Sequence, residues 1–288
     1  MKKLRTIKKH ALEIKNLIRL KHILYLLILP IISGSLMLLP TTFRDSIKLS
    51  YNNISLLSLL SSSFIHASWQ HYLGNMSLFM IVTIFQLILI SYIYKAKDYF
   101  QLLLLTIITT PIIISIVQIL FYPIISFSLE TSCGASGIVS AVVGFVPALL
   151  IYYVSNKIKK NLFDGNLFII IISYIALSFS FSYFTYHKSI IILLVPFLPM
   201  IYYSYRYKEN IISIIRYFIS YRMGNMFVNH SLLVLLLIFV TMAQFIFPVK
   251  LMIQDGIIDF FAHYIGVLYG FNIGYIYFKN KLNPNRSK

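Results

Sequence analysis

The chain has 288 residues, of which 59% are hydrophobic and only 11% are charged, and its formal net charge at pH 7 is +17. A mean hydropathy of +0.81 excludes an ordinary soluble globular protein, because a chain of this length cannot bury so much apolar surface. The basic residues cluster between apolar runs, which indicates membrane topology rather than nucleic-acid binding, and the single cysteine, Cys133, excludes an intrachain disulfide.

A basic segment, residues 1–21, precedes the first apolar run. Its apolar residues recur at helical spacing, which leaves two interpretations open. The segment is either a helix that lies on the anionic inner face of the membrane or a solvated tail. Residues 279–288 form a second basic tail, and both tails are predicted to be cytoplasmic.

Eight apolar runs of membrane-spanning length lie between the two tails. They are rich in Ile, Leu, Phe and Tyr, and they lack the alternating polarity of barrel strands. The sequence therefore predicts an all-α polytopic membrane domain over residues 22–278. The runs occupy residues 22–41, 71–94, 99–122, 137–154, 166–184, 189–205, 230–248 and 257–278.

The Lys and Arg residues are divided unequally between the two sides of the predicted membrane domain. The two tails and the connectors after the second, fourth and sixth runs hold 21 of the 25 basic residues, and the other connectors hold 4. Because cytoplasmic segments carry the excess of positive charge, this division places both termini in the cytoplasm. It also supports eight spans in the cell membrane, since the loss of one span breaks the alternation.

Polar residues inside the apolar runs gather at one end of the predicted bundle. They are His66, His71 and Asn75 at the start of the second run, Ser136 at the start of the fourth and His263 near the start of the eighth. Under the charge count these ends face outside, at a depth that water can reach. His71 and Asn75 share a helix face, whereas His66 is roughly 140° away, so the spacing argues against a metal-binding histidine pair. No metal and no organic cofactor is expected.

Small residues recur at close-packing spacing on the helices that carry Ser136 and His263. The stripe on the fourth run consists of Gly137, Ser140, Ala141 and Gly144, and that on the eighth consists of Gly266, Gly270 and Gly274. If these stripes face each other, Ser136 and His263 meet at the top of the contact.

Three elements resemble the motifs of the rhomboid family of intramembrane serine proteases. HASWQHYLGN, residues 66–75, resembles the family's H-x4-H-x3-N element. GASG, residues 134–137, resembles its G-x-S-G nucleophile element, and AHYIGVLYG, residues 262–270, resembles its A-H-x2-G-x3-G element. The resemblance implies a rhomboid-like helical bundle with a six-helix core and two extra helices between the Ser and His helices. Two extra helices keep the Ser and His helices parallel.

The resemblance also implies roles for the polar residues. Ser136 is the expected nucleophile and His263 its general base, as a hydroxyl needs a base within hydrogen-bond reach. His71, Asn75 and the backbone N–H of Ser136 are the expected oxyanion donors. The expected supporting residues are His66, Gly134 and Gly137.

Three further features bear on the resemblance. Ser140 stands where many bacterial members have an aromatic residue that stacks on the base, and the loop at 42–65 lacks their Trp-Arg pair. Asp259, four residues before His263, is either a third catalytic member or an acidic residue near a helix start, and the second interpretation is favoured. Cys133 is expected to be inert.

The expected function is that of a serine endopeptidase that cleaves single-span membrane proteins near the outer face of the lipid bilayer. The alternative is a catalytically inactive rhomboid-like protein that binds or traffics membrane clients. A transporter that uses buried histidines ranks last, because it needs ionisable groups near the midplane of the membrane. No nucleic-acid partner is expected.

Overall fold

The computed structural model describes residues 20–93, 96–125, 131–187, 190–220, 226–241, 252–253, 256–257 and 260–282. Within these ranges the chain forms eleven α-helices and two short antiparallel strand pairs. The helices are α1 (Leu20–Met37), α2 (Thr41–Ser46), α3 (Leu56–Ser61), α4 (Trp69–Ile93), α5 (Ala96–Ile125), α6 (Ser136–Ile158), α7 (Gly165–His187), α8 (Ile190–Arg206), α9 (Lys208–Ser220), α10 (Met226–Val240) and α11 (Phe260–Leu282). The strands are β1 (Leu49–Ser50), β2 (Thr131–Ser132), β3 (Met252–Ile253) and β4 (Gly256–Ile257).

The prediction of an all-α fold is confirmed, since each of the eight apolar runs overlaps one long helix. Among the described residues, three helical segments are long and apolar enough to cross a membrane, namely Trp69–Ser91, Ala96–Phe121 and Ser136–Ile158. The chain therefore has the character of a membrane protein, while the count of eight spans stays a prediction. Residues 1–19, Asp259 and residues 283–288, on which other predictions fall, lie outside the described residues.

Helix α6 lies at the centre of the bundle. Every residue from Gly137 to Ser155 is buried, and α6 packs against α4, α5, α10 and α11. Many of its side chains are those of Gly, Ala, Ser and Val, which allow neighbouring helices to approach closely in a lipid environment. Ser136, the first residue of α6, is therefore held by the most enclosed helix of the described structure.

The small-residue stripes of α6 and α11 face each other, so the condition for bringing Ser136 and His263 to the same end of the contact is met. A Cβ atom on Gly266 would collide with the carbonyl oxygen of Gly137, and one on Gly270 would collide with the carbonyl oxygen of Ala141. A Cβ atom on Gly144 would lie 2.8 Å from the backbone nitrogen of Phe271. Because these contacts advance together along both helices, α6 and α11 run parallel.

A buried polar chain joins α4, α5 and α6. The Tyr99 hydroxyl donates to Oε1 of Gln86 at 2.8 Å, and Nε2 of Gln86 donates to the carbonyl oxygen of Val142 at 2.7 Å. Gln86 is fully buried, and such a group is costly in an apolar interior unless its partners are present. The chain of hydrogen bonds therefore fixes how the three long helices pack.

The segment between α1 and α4 folds back over one end of the bundle. Strand β1 pairs with β2 in antiparallel register, with Leu49 opposite Ser132 and Ser50 opposite Thr131. The Ser115 hydroxyl of α5 donates to the carbonyl oxygen of Leu59 in α3 at 2.9 Å. The loop that lacks the Trp-Arg pair is thus tied to α5 and to the residues that lead into Ser136.

Two helices differ from the prediction. Helix α9 occupies a stretch expected to be a connector, because Ile211, Ile214 and Tyr217 recur at helical spacing and pack on the core. Helix α11 continues to Leu282, four residues past the predicted end of the membrane domain. Lysines in its last turn favour a longer helix, because their charge complements the negative helix end.

The contact between α6 and α11 predicts a difference between two glycine substitutions. Gly270→Ala places a Cβ atom against the Ala141 carbonyl and should destabilise the protein by about 1–3 kcal/mol through overpacking. Gly74→Ala in α4 is the matched control, because no atom lies within 4 Å of the added Cβ. The control should stabilise the helix by up to about 1 kcal/mol. Thermal unfolding in detergent measures both effects, and equal stability of the two variants would contradict the packing.

Candidate active site

The first turns of α6 and α11 lie at the same end of the bundle, because the two helices are parallel and in close contact. Ser136 opens α6 and His263 lies in the first turn of α11, and both residues are half-buried. The carbonyl oxygen of Ala262 lies 3.7 Å from the position of a Cβ atom on Gly137. The immediate neighbours of Ser136 and His263 therefore approach each other, and the hydrogen bond between the two side chains stays a prediction.

Gly134 brings the side chains of His71 and Ser136 to one place. A Cβ atom on Gly134 would lie 2.9 Å from Cε1 of His71 and 3.8 Å from Oγ of Ser136. The residue has a φ of +129°, which strongly favours glycine. Both the backbone conformation and the space thus require glycine between α4 and the start of α6.

The His66 side chain supports the segment before Ser136 through a hydrogen bond. Its side chain is fully buried, and Nε2 accepts a hydrogen bond from the backbone N–H of Ala135 at 3.3 Å. The ring lies edge-on to that of His71, with 5.1 Å between the ring centroids. The sequence predicted such a supporting hydrogen bond only through the family resemblance.

Burial, together with the smaller effect of the nearby His71 charge, lowers the pKa of His66 to about 3. The His66 imidazole is therefore neutral at physiological pH. Only the neutral ring has a nitrogen lone pair that can accept the Ala135 N–H. Burial of His66 therefore keeps its ring neutral and so preserves its hydrogen bond with the Ala135 N–H.

Asn75 lies one turn after His71 on α4, so the two side chains occupy one helix face. Its Nδ2 atom is buried and has no hydrogen-bond partner in the described part of the chain. A buried donor without an acceptor costs about 1–3 kcal/mol and calls for an explanation. A donor amide on the same helix face as the His71 side chain is able to bind an anionic oxygen.

Ser140, which stands where many rhomboid proteases have an aromatic residue, faces α11. Its Cβ atom lies 3.0 Å from the position of a Cβ atom on Gly266, so the small side chain belongs to the contact between the helices. The start of α11 is held instead by Tyr264, whose ring stacks on Phe179 of α7 with 4.5 Å between centroids. Helix α7 therefore positions the residue next to His263.

Two residues that hold this site have no role in the prediction from the sequence. Nη1 of Arg44 donates to the carbonyl oxygen of His66 at 3.3 Å, and the carbonyl oxygen of Ser62 accepts the Gly134 N–H at 3.0 Å. Arg44 had a visible signal, as it is one of only 4 basic residues in the predicted outer connectors. The Ser62 contact involves only backbone atoms and leaves no trace in side-chain pattern.

Cys133 is a second potential nucleophile close to Ser136. Burial raises the pKa of its thiol, which disfavours the reactive thiolate at neutral pH. Among the described residues, no three His, Cys, Asp or Glu side chains lie close enough together to hold a metal ion.

No protein-family model, no curated protein and no solved structure matches this chain. The rhomboid resemblance consequently stays a prediction, and its support consists of the three sequence elements and the geometry described above.

The buried neutral state of His66 predicts a specific pH dependence of stability. Between pH 6.5 and about 3 the unfolded chain binds a proton at His66 that the folded chain excludes, so the free energy of unfolding falls as the pH falls through this window. Above pH 6.5 both states are neutral at this residue and the full stability is present. The loss amounts to at most about 1.4 kcal/mol per pH unit.

His66→Gln retains an acceptor for the Ala135 N–H and removes the titration. Its free energy of unfolding should therefore fall less steeply with decreasing pH than that of the wild type. Denaturant unfolding in detergent over a pH series measures this difference. Superimposable pH slopes for the two proteins would show that His66 is protonated equally in both states.

Proposed function

We propose that this protein is an intramembrane serine protease of the rhomboid type. The observation that carries the proposal is that the Ser136 hydroxyl and the His71 ring both lie within 4 Å of the Cβ position of Gly134, at the start of the helix that packs on α11. The parallel contact of α6 and α11 supports a pairing of Ser136 with His263. Ser136 and His71, which the geometry brings together, are two of the residues that the sequence motifs name.

In the proposed mechanism, Nε2 or Nδ1 of His263 takes the proton of the Ser136 hydroxyl as Oγ attacks the scissile carbonyl carbon. The electron pair of the carbonyl π-bond moves to the oxygen, which becomes the oxyanion of a tetrahedral intermediate. On its collapse the C–N bond breaks, and the proton passes from His263 to the leaving amine. Water then attacks the acyl-enzyme by the same general-base route and restores the Ser136 hydroxyl.

The oxyanion site would be formed by His71, Asn75 and the backbone N–H of Ser136. The first turn of α6 supplies backbone N–H groups and the positive end of a helix, both of which stabilise developing negative charge. Nδ2 of Asn75 is a buried donor without a partner in the described residues, and the oxyanion would provide its acceptor. His66 and Gly134 would hold the oxyanion site through the Ala135 hydrogen bond and the φ of +129°.

The substrates are single-span membrane proteins, and the site acts near the outer face of the cell membrane. Eight spans with both termini in the cytoplasm place the starts of α4, α6 and α11 on that side. A substrate helix must unwind at the cleaved bond, because a helical peptide group is shielded from attack. Water reaches the acyl-enzyme from outside, since the site lies at the end of the bundle.

An inactive rhomboid-like protein that binds or traffics membrane clients is the alternative function. Such proteins commonly lack one member of the Ser-His pair, whereas this chain has Ser136 and His263. A fluorophosphonate probe separates the two functions, because it reacts only with an activated serine. A wild-type protein that neither reacts with the probe nor cleaves a reporter substrate would support the inactive alternative.

The proposed dyad predicts the loss of activity in two variants. Ser136→Ala and His263→Ala, reconstituted in vesicles with a single-span reporter, should lose cleavage by about 10³-fold or more. Both should also lose fluorophosphonate labelling. Ser140→Ala, which removes a hydroxyl one turn away on α6, is the matched control and should retain both. Cleavage or labelling that persists in Ser136→Ala would rule out this residue as the nucleophile.

The proposed oxyanion site predicts a distinct phenotype for Asn75→Ala. The loss of one oxyanion donor should lower kcat by about 10²–10³-fold. The melting temperature should not fall, because the removed Nδ2 atom has no partner in the described residues. Ser77→Ala, at an exposed position of the same helix, is the control. Full kcat in Asn75→Ala, or a parallel loss of stability, would assign Asn75 a structural role instead.

A further inference from the structure

A groove of about 370 Å³ lies between the first turns of α1 and α5. Helix α5 begins where α4 ends, so this groove is at the opposite end of the bundle from Ser136. His22 on α1 lies beside Phe100 on α5, with 5.3 Å between their ring centroids, which closes one side. The volume falls within the range of about 300–1,000 Å³ that small-molecule sites occupy.

The groove is apolar along most of its length and opens to the outer surface of the bundle. Leu103 and Ile107 form a buried floor. Tyr25 and Ile28 form one wall, and both are more than one-third exposed. In a bilayer, an exposed apolar cleft between two helices is in contact with acyl chains, and its shape favours a single chain that lies along the helices.

The mouth of the groove is polar and positively charged. Lys97 and Gln101, on successive turns of α5, are both exposed and line the mouth. Asp98 does not cancel the charge of Lys97, because its carboxylate pairs with Nζ of Lys281 on α11 at 3.5 Å. Lys97 therefore presents a positive charge at the level where a phospholipid headgroup would lie.

We propose that this groove binds one anionic phospholipid. The acyl chain lies on the floor formed by Leu103 and Ile107, and the phosphate group is bound by the Lys97 ammonium and the Gln101 amide. Under the predicted topology this side of the membrane also receives 21 of the 25 basic residues, which attract anionic lipids to the same face. The bound lipid fills the gap between α1 and α5 and stabilises their contact.

Native mass spectrometry tests the proposal with the full-length protein. The protein is reconstituted into nanodiscs made of equal amounts of phosphatidylglycerol and phosphatidylcholine with matched acyl chains. It is then released from the nanodiscs in the mass spectrometer, and the lipids that stay bound to it are identified by mass. The wild type should retain one lipid molecule per protein, and this lipid should be phosphatidylglycerol more often than phosphatidylcholine. Lys97→Gln should lower this preference about fivefold, the factor expected for one basic residue at a membrane surface.

Two further variants separate a built site from diffuse surface charge. Lys160→Gln removes an exposed charge near the same end of the bundle but outside the groove, and it should leave the lipid preference unchanged. Ile28→Trp fills the groove and should abolish retention of both lipids while the protein stays folded. The proposal is overturned if the wild type shows no excess of phosphatidylglycerol. It is equally overturned if Lys97→Gln and Lys160→Gln lower the preference alike, or if Ile28→Trp retains the lipid.

Discussion

The close parallel contact between α6 and α11 is the constraint on which the remaining structure depends. Lipid tails are as apolar as the helix surfaces, so helices in a membrane gain little from burial and must associate through close packing. Gly266 and Gly270 provide that packing, because their missing side chains leave room for the backbone of α6. The same contact sets the depth of both helix starts, and this places Ser136 and His263 at one end of the bundle.

A second set of contacts connects this helix pair to the rest of the candidate site. The Arg44 side chain holds the backbone of His66, and His66 in turn accepts the Ala135 N–H. Gly134 donates to Ser62 and leaves room for the ring of His71. The bond between Ala135 and His66 is buried, and in such surroundings a hydrogen bond is stronger and an unpaired group more costly. The backbone that precedes Ser136, the nucleophile in the proposed mechanism, is thereby fixed by hydrogen bonds at both Gly134 and Ala135.

The helical runs and the two small-residue stripes could be predicted because they are periodic and local. Tertiary contacts left weaker signals in the sequence. The amphipathic spacing of Ile211 and Ile214 was present in a stretch interpreted as a connector, and it became clear only when α9 was seen to pack on the core. Ser140 departs from the family's aromatic pattern but belongs to the small-residue stripe, and its position opposite Gly266 agrees with its place in that stripe.

By itself, the sequence determined that the chain is helical, that its apolar runs suit a membrane, and which polar residues are candidates for chemistry. These properties follow from composition and periodicity, which each segment carries on its own. Only the tertiary structure decided that His71 and Ser136 meet beside Gly134, that Arg44 holds His66, and that Lys97 lies at the mouth of a groove. Such relations join residues that are distant in the chain, and they arise from the packing of whole helices, which no local pattern encodes.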